Sequence, residues 1–534
     1  MTATGTFDFI VIGAGHNGLI AASYLARTGA SVLILERRLE AGGGLTTEEF
    51  TRGGFLHNLH SFFHDTIDVM PPFRDLKLAD HGARYICPDV QVAVPLRDGR
   101  GYTIHNDAAA TERSIARLSA ADAAAYAEMR DGYREFMETI VVPGLYSAPP
   151  PPSHVTGALE TSPEGADYLR LSRSTPADVV RATFENDAIR AGVLFQLAVP
   201  RGILPDYAGL GMVVPLVVSQ IERSQVCVGG SHALAHALWR AFVSAGGVLR
   251  GMAEVTKIEI DDNRARGVTL ANGEWYEAKR AVISATGLRQ TFKHFVGLDK
   301  LDPKLTRRLL NYKLDEFSLF GVHLALREPP RFSAAAFDPD IDRALKLDLG
   351  FETPADFADA LAAIRKRRIP DHTALYAAFP SLHDPSQAPP GFHTGLLWTP
   401  VPFHLDGVPG ETDFDKWEHV KKDLLARCLA TLRIYAPNMA SDAILSARAL
   451  TPADISLKFP NMCRGGVFMG RLSQDQIEFF RPLPELSQHR TPIDALYLAG
   501  SFCHPGGGIT GAPGYIAAQV VADDLGLTKW WEQS

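Results

Sequence analysis

The feature that most constrains this chain lies at its amino end. Phe7-Asp-Phe-Ile-Val-Ile-Gly13 is a short run of β-branched and aromatic side chains and predicts a strand buried on both faces of a parallel sheet. Gly13-Ala-Gly15-His16-Asn17-Gly18 follows and fits G-x-G-x-x-G. Leu19 to Thr28 has helical spacing, with Ala21, Ala22 and Ala26 on the face that would meet the sheet, and Gly29 ends it. Ser31-Val-Leu-Ile-Leu-Glu36 then reads as a second strand closing on an acid, 23 residues after Gly13. A spacing of about 20 is expected for an acid that meets a ribose.

Each position has a physical task. Gly13 permits the tight turn, Gly15 has no Cβ to obstruct a pyrophosphate, and Gly18 lets the helix lie close to the strand. The phosphates would then face unpaired amides at the positive end of the helix dipole. Among 46 glycines an isolated G-x-G-x-x-G means little, but strand, glycines, helix, strand and acid in register predict a dinucleotide site.

The residues after Glu36 bear on which dinucleotide. Arg37 and Arg38 could suggest a 2′-phosphate, which the Glu36 carboxylate would repel. Ala41-Gly-Gly43-Gly44-Leu45-Thr46-Thr47 is a second glycine cluster, outside the plain nicotinamide pattern. It resembles the G-G-x-x-x-T stretch of two-domain flavoproteins, which favours FAD over NAD. At the carboxyl end, Ala495 to Gly500 reads as a strand, Ser501-Phe-Cys-His504-Pro-Gly-Gly507-Gly508-Ile509-Thr-Gly511 as a glycine-rich turn, and Tyr515 to Leu525 as a helix. Only 23 residues follow Gly511, too few for a second nucleotide fold. The same geometry aims free amides at an acceptor of developing negative charge, such as the edge of a reduced flavin.

Gly13 to Thr47, together with Tyr497 to Ile509, resembles the phytoene desaturase and carotenoid oxidoreductase family of FAD enzymes. Within it the chain is similar to the branch called pyridine nucleotide-disulfide oxidoreductase domain-containing protein 2, although no redox C-x-x-C is present. The resemblance implies an α/β fold. A Rossmann-type FAD-binding domain, of the glutathione-reductase-like and amine-oxidase-like two-domain kind, would carry an inserted α+β substrate domain. The FAD part would comprise residues 1–75, 226–300 and 480–534, and the substrate part 76–225 and 301–479. Val228 to Leu238 resembles the family's G-G-x-x-A-L-x-x-A-L helix, which would return the chain to the FAD domain; His232 and His236, one helical turn apart, read as a satisfied helix face with no functional role. Gly246 to Ile258 is similar to the strand beside adenine, implying that the Val255 backbone meets the base. Ile283 to Gly287 is similar to the stretch behind the diphosphate, implying roles for Ala285 and Gly287. Gly500, Ser501, Gly507, Gly508 and Ile509 would border the flavin. Family members often carry histidine where this chain has Met469, so that role does not transfer.

Composition sets outer limits. A net charge of −8 gives no reason to expect nucleic acid as a partner, and five cysteines without C-x-x-C exclude a disulfide framework or thiolate zinc knuckle. These features and the absence of a basic amino-terminal region suggest a cytoplasmic protein. The most apolar window, Ala208 to Ile221, contains Pro215 and falls short of the ~20 residues that span a bilayer, leaving only peripheral membrane contact open. Gly211 to Ser219 reads as a core strand or as tunnel lining. Val142 to Ser153 reads as a polyproline excursion, and Ser172 to Ala198 as a helix started by Thr175-Pro-Ala-Asp178. Trp530 and Trp531 are expected to pack on the body of the protein.

His57, His60 and His64 invite a metal reading, but no carboxylate pattern accompanies them; a polar lining near the flavin or plain packing fits better. His504 could position substrate or move a proton. The expected chemistry is FAD-dependent oxidation or saturation of C–C or C=C bonds in a long apolar substrate, isoprenoid or lipid. Electrons would leave to oxygen, a quinone or another acceptor, because no separate nicotinamide domain is visible. Flavin-dependent isomerisation or hydration, and an FAD-containing scaffold, are the alternatives.

Overall fold

The computed structural model describes residues 3–440 and 442–532. The predicted first strand forms as Gly5–Ile12 and pairs in parallel with Val32–Leu35 on one side and Trp275–Ser284 on the other. Its last four residues, Phe9 to Ile12, are almost fully buried, as a strand covered on both faces requires. Val248–Arg250 extends the sheet beyond Val32–Leu35, while Leu496–Leu498 pairs in parallel with Trp275–Ser284. The antiparallel strands Val255–Asp261 and Arg264–Leu270 complete it. Residues from both ends and the middle of the chain thus share one seven-stranded sheet.

The helix His16–Ala26 is buried along all eleven residues. The expected small face Ala21, Ala22 and Ala26 is inside, and so is every other face. It lies against the sheet, the carboxyl-terminal helix Ala512–Leu525 and the helix His232–Ser244, so an apolar sequence all round suits it. Trp530 stacks on Tyr24 at 5.2 Å, and the Arg27 guanidinium lies 3.6 Å from the Trp530 ring centroid. The terminal aromatics therefore pack on the body.

A second seven-stranded sheet runs in the order Ile444–Leu450, Ser318–Leu326, His393–Val401, Leu375–Ala378, Lys346–Leu349, Val90–Pro95, Gly101–His105. It is antiparallel except where Lys346–Leu349 pairs in parallel with Val90–Pro95. One face packs on the helix Asp413–Tyr435 through Trp417, Leu424 and Leu432. The other carries Tyr376 and Trp398 into a cluster with helices Asp187–Ala198 and Pro354–Arg365.

Three local expectations change. Gly211 to Ser219 is not a strand: Val213–Val218 is a helix whose Val214, Val217 and Val218 join the second core. Short apolar runs do not distinguish a buried helix from a strand by periodicity. The long helix over 172–198 is two, Pro176–Thr183 and Asp187–Ala198; the Asn186 side chain caps the second. Thr175 does start the first, in a capping box with Asp178. The proline-rich connection is bounded by helical turns at Val142–Leu145 and Pro152–Leu159. Among the described residues no helix is long and apolar enough to cross a membrane.

Candidate active site

Where the first strand ends, Gly13 adopts φ +96°, a region that favours glycine, and its amide donates to the Leu35 carbonyl at 2.8 Å. The first intrahelical bond runs from the Leu19 amide to the Gly15 carbonyl at 2.9 Å, so the amides of His16, Asn17 and Gly18 precede any helical acceptor. A Cβ on Gly18 would lie 2.1 Å from the Gly13 carbonyl oxygen, whereas one on Gly15 would meet nothing within 4 Å. Gly18 is thus a packing glycine, and Gly15 leaves space in front of the helix end.

The second glycine cluster runs beside the first. The Gly42 amide donates to the Ala14 carbonyl at 2.7 Å, and a Cβ on Gly43 would come within 3.0 Å of the Gly15 Cα. The Thr46 hydroxyl donates to the Gly43 carbonyl at 2.8 Å. Leu45 is buried, and its carbonyl accepts from His232 Nδ1 at 2.7 Å. His232 therefore braces this loop, a contact that its spacing with His236 did not suggest.

The third turn comes from the carboxyl end. Asn17 Nδ2 donates to the Ser501 hydroxyl at 2.9 Å, and the Gly514 amide donates to Asn17 Oδ1 at 3.4 Å. Gly508 has φ +104° and open space where a Cβ would project. Gly500 differs: its Cβ would meet the Thr286 carbonyl at 2.5 Å, so it is a packing residue.

Glu36 lies on the far side of the first turn. Its two oxygens accept the Ala14 and Arg38 amides, each at 2.9 Å. Its own amide donates to the Arg250 carbonyl at 2.9 Å and its carbonyl accepts from Ala253 at 2.8 Å, which brings it beside the stretch leading to Val255. Arg37 points elsewhere, to the Lys458 carbonyl at 2.8 Å.

These turns border a cavity of about 370 Å³. Gly15, His16, Asn17, Gly43 and Gly44 line it, as do Ala285 and Gly287 from the strand end and Ser501, Gly507, Gly508 and Ile509 from the last turn. Gly13, Gly18, Glu36, Leu45, Thr46, Val255 and Gly500 are not among its lining residues. The geometry fits a dinucleotide: an open cradle at Gly15 and Gly508, free helix-end amides, and a His16 Nε2 that is buried without a partner. Burial pushes the His16 pKa down to about 4, so its imidazole is neutral near pH 7.

The other walls are mainly apolar, with Phe63, Val199, Ile203, Leu319 and Trp398 among them. His60 and His64 join this wall; His57 does not, pairing instead with the Thr51 hydroxyl at 2.7 Å. His64 Nδ1 meets the Tyr85 hydroxyl at 2.7 Å, while its Nε2 is buried without a partner. Burial lowers the His60 and His64 pKa values to about 3, so these groups line the cavity as neutral rings.

His504 is not brought to this wall. Its Nε2 donates to the Gly144 carbonyl at 3.0 Å, and burial lowers its pKa to about 4. The turn that carries it folds its ring inward, so the positioning or proton-moving role expected from sequence has no support in its placement. Cys503 is fully buried, and burial pushes its thiol up, as in an unreactive core cysteine. Sequence reasoning missed Asp65, Arg201 and Asp315, which line the same cavity. Asp315 accepts the Phe468 and Gly470 amides at 3.2 and 3.0 Å, and burial raises its pKa to about 6. No local motif marks these three residues; tertiary structure gathers them.

Comparison with known proteins agrees with this geometry. The family of flavin-containing amine oxidoreductases matches residues 18–522. A limonene dehydrogenase subunit from Castellaniella defragrans is 33% identical, over 98% of this chain and 96% of its own. The mouse (Mus musculus) pyridine nucleotide-disulfide oxidoreductase domain-containing protein 2 is 29% identical, over 97% and 94%. A lycopene-forming phytoene desaturase of a Paracoccus species is 27% identical, over 97% of each chain. The crystal structure of an oxidoreductase from Methanosarcina mazei shares the fold, with a TM-score of 0.61 and 17% identity over 96% of this chain and 99% of that one. With its glycine cradle and these relationships, the chain belongs to the family of flavin-containing amine oxidoreductases, and it is an FAD-dependent oxidoreductase.

Proposed function

We propose that the protein dehydrogenates or saturates a C–C or C=C bond of an apolar substrate of isoprenoid or lipid type. The observation that carries this reading is the cavity itself: Gly15, Gly43 and Gly508 border it on one side, and apolar side chains such as Phe63, Leu319 and Trp398 wall it on the other. Two relatives are named for limonene and phytoene, which supports the same substrate class. Bound FAD supplies the two-electron acceptor or donor.

The chain's own residues hold and shield. The amides of His16 and Asn17 meet the diphosphate at the helix end, with Gly15, Gly43 and Gly44 giving backbone access and Ala285 and Gly287 behind. Glu36 would accept from the adenosine ribose, and the Val255 backbone would meet the base. Gly507, Gly508 and Ile509, which line the cavity, would stabilise negative charge at the flavin edge through their amides. Phe63, Val199 and Trp398 exclude water and orient the reacting bond. Residues 1–75, 226–300 and 480–534 form the cofactor-binding part, and 76–225 and 301–479 the substrate-binding part. The division into two seven-stranded sheets supports that partition.

Anaerobic mixing of the flavin-loaded protein with terpenes, carotenoids and lipids tests the reading. Stoichiometric bleaching of the flavin by one class, reversed by oxygen or a quinone, is the expected result. Product without net bleaching would assign isomerisation or hydration instead. Silence across the panel, alongside a reproducible protein partner, would assign a scaffold.

A further inference from the structure

Hydride exchange leaves one feature of the cavity unused. Asp65 and Arg201, 136 positions apart, form an ion pair at 2.7 Å on a wall that also carries Phe63, Val199 and Ile203. Their side chains keep 23% and 16% of their surface accessible, and both residues line the cavity.

Behind the pair stands a buried polar frame. The Ser224 hydroxyl donates to Asp65 Oδ1 and itself receives the Lys346 ammonium. Arg201 also donates to the Gln196 carbonyl at 2.8 Å, and the Gln196 amide nitrogen donates to both Asp348 oxygens at 2.8 and 2.9 Å. Lys346 and Asp348 are buried. Burial lowers the Lys346 pKa to about 8 and raises that of Asp348 to about 7, against the charged form of each. Burial also opposes ionisation of Asp65, but Arg201 and Lys346 outweigh it and hold the carboxyl below its usual range. Such a frame stabilises a fold little compared with apolar packing. What it does secure is the orientation of the two charged groups that reach the cavity.

Those groups have spare capacity. Arg201 has N–H groups beyond those given to Asp65 and Gln196, and Asp65 has lone pairs beyond those taken by Ser224 and Arg201. A hydrocarbon pressed against them would strip their solvation and return nothing. A carboxylate would be repelled by Asp65 and an ammonium by Arg201. A hydroxyl can donate to the first and accept from the second.

We infer that the Asp65–Arg201 pair is a hydroxyl-recognition subsite, so that the substrate is an apolar molecule bearing an alcohol at one end. This rests on the reading of the cavity as the site of an apolar substrate.

The test uses the flavin-loaded protein under anaerobic conditions. The ligands are a hydrocarbon, alcohol, carboxylic acid and amine built on one C20 isoprenoid skeleton, with a second set on a C10 skeleton. Dissociation constants are read from perturbation of the visible flavin spectrum. In at least one set the alcohol should bind at least about tenfold more tightly than the other three, the scale expected for stranding a buried polar group. Asp65→Asn keeps the shape and removes the negative charge, so preference should move from the alcohol towards the carboxylic acid. Arg201→Gln should move it towards the amine. Both results are ratios between ligands within one variant, so a uniform loss of affinity does not mimic them. A hydrocarbon that binds within about threefold of the alcohol in both sets, or rankings unmoved in both variants, would overturn the inference. If that hydrocarbon is also oxidised, the broader functional reading survives. If no ligand perturbs the flavin, both fall together.

Discussion

Asn17 Nδ2 donates to the hydroxyl of Ser501 at 2.9 Å, closing a loop of 484 positions and fastening the first glycine turn to the last. Both residues line the cavity, and Asn17 Oδ1 also accepts the amide of Gly514 in the terminal helix. One side chain thus aligns two glycine turns that border the same cavity.

Asn17→Leu should therefore loosen FAD and destabilise the protein together. The partners left unpaired, the buried Gly514 amide and the half-buried Ser501 hydroxyl, would cost about 1–3 kcal/mol. Thermal unfolding of the apoprotein checks that cost, and FAD titration checks the loss of alignment. A variant that keeps native FAD affinity would deny the tie its role.

Gly15 and Gly18 belong to one motif but should fail differently when substituted. Gly15→Val places side-chain atoms in open space, so the protein should fold and melt normally but purify without flavin colour. Gly18→Ala drives a Cβ to 2.1 Å from the Gly13 carbonyl oxygen, so the helix must shift and the melting temperature should fall. Absorbance near the flavin bands and differential scanning separate the two outcomes.

Acid should unfold the protein well above the range of ordinary carboxylates. Burial depresses the pKa values of His16, His57, His489 and His504 to about 4, and those of His60 and His64 to about 3. The unfolded chain binds protons at these positions near pH 6.5, before the folded one does, so stability falls as pH drops from about 6.5 towards 4. Each histidine contributes up to about 3 kcal/mol to that slope. Asp315 and Asp348 act in the opposite sense, since their raised values favour proton uptake by the folded state. The depressed histidines, which also include His105, His236, His323, His383 and His393, outnumber the raised carboxyls, which also include Glu222, Asp342 and Glu478. Denaturant midpoints measured at pH 7.5, 6 and 5 should decline in that order, each about 1 kcal/mol or more in free energy.

His504→Phe removes the donor to the Gly144 carbonyl without touching the cavity wall. A lowered melting temperature with an unchanged flavin spectrum and turnover is expected, at a cost of about 1–3 kcal/mol. Loss of turnover in a variant that melts normally would return His504 to the chemistry.

Much of the glycine-bordered wall of the cavity was legible because its signals are local. Gly13, Gly15 and Gly18 are spaced by the geometry of one strand-to-helix turn, and Glu36 ends the next strand. The capping box at Thr175 is equally local, needing only Asp178 three residues on. The helix Val213–Val218 was not legible, because a short run of valines and leucine buries equally well as strand or helix until its neighbours are known. His504 misled for a related reason: its place in a glycine-rich turn predicts proximity to the flavin, but only packing decides which way its ring faces.

By itself the sequence determined that a glycine turn joins a buried strand to a helix near the amino end and that a second glycine turn lies near the carboxyl end, since both depend on steric rules acting over a few residues. Tertiary structure alone decided what shares the cavity with them. Asp65 and Arg201 meet across 136 positions, on a strand connection and a helix end that have no pattern in common. Their pairing depends on the closure of two sheets around one space, where the energy of a charge is set by its neighbours in three dimensions and not by those beside it in the chain.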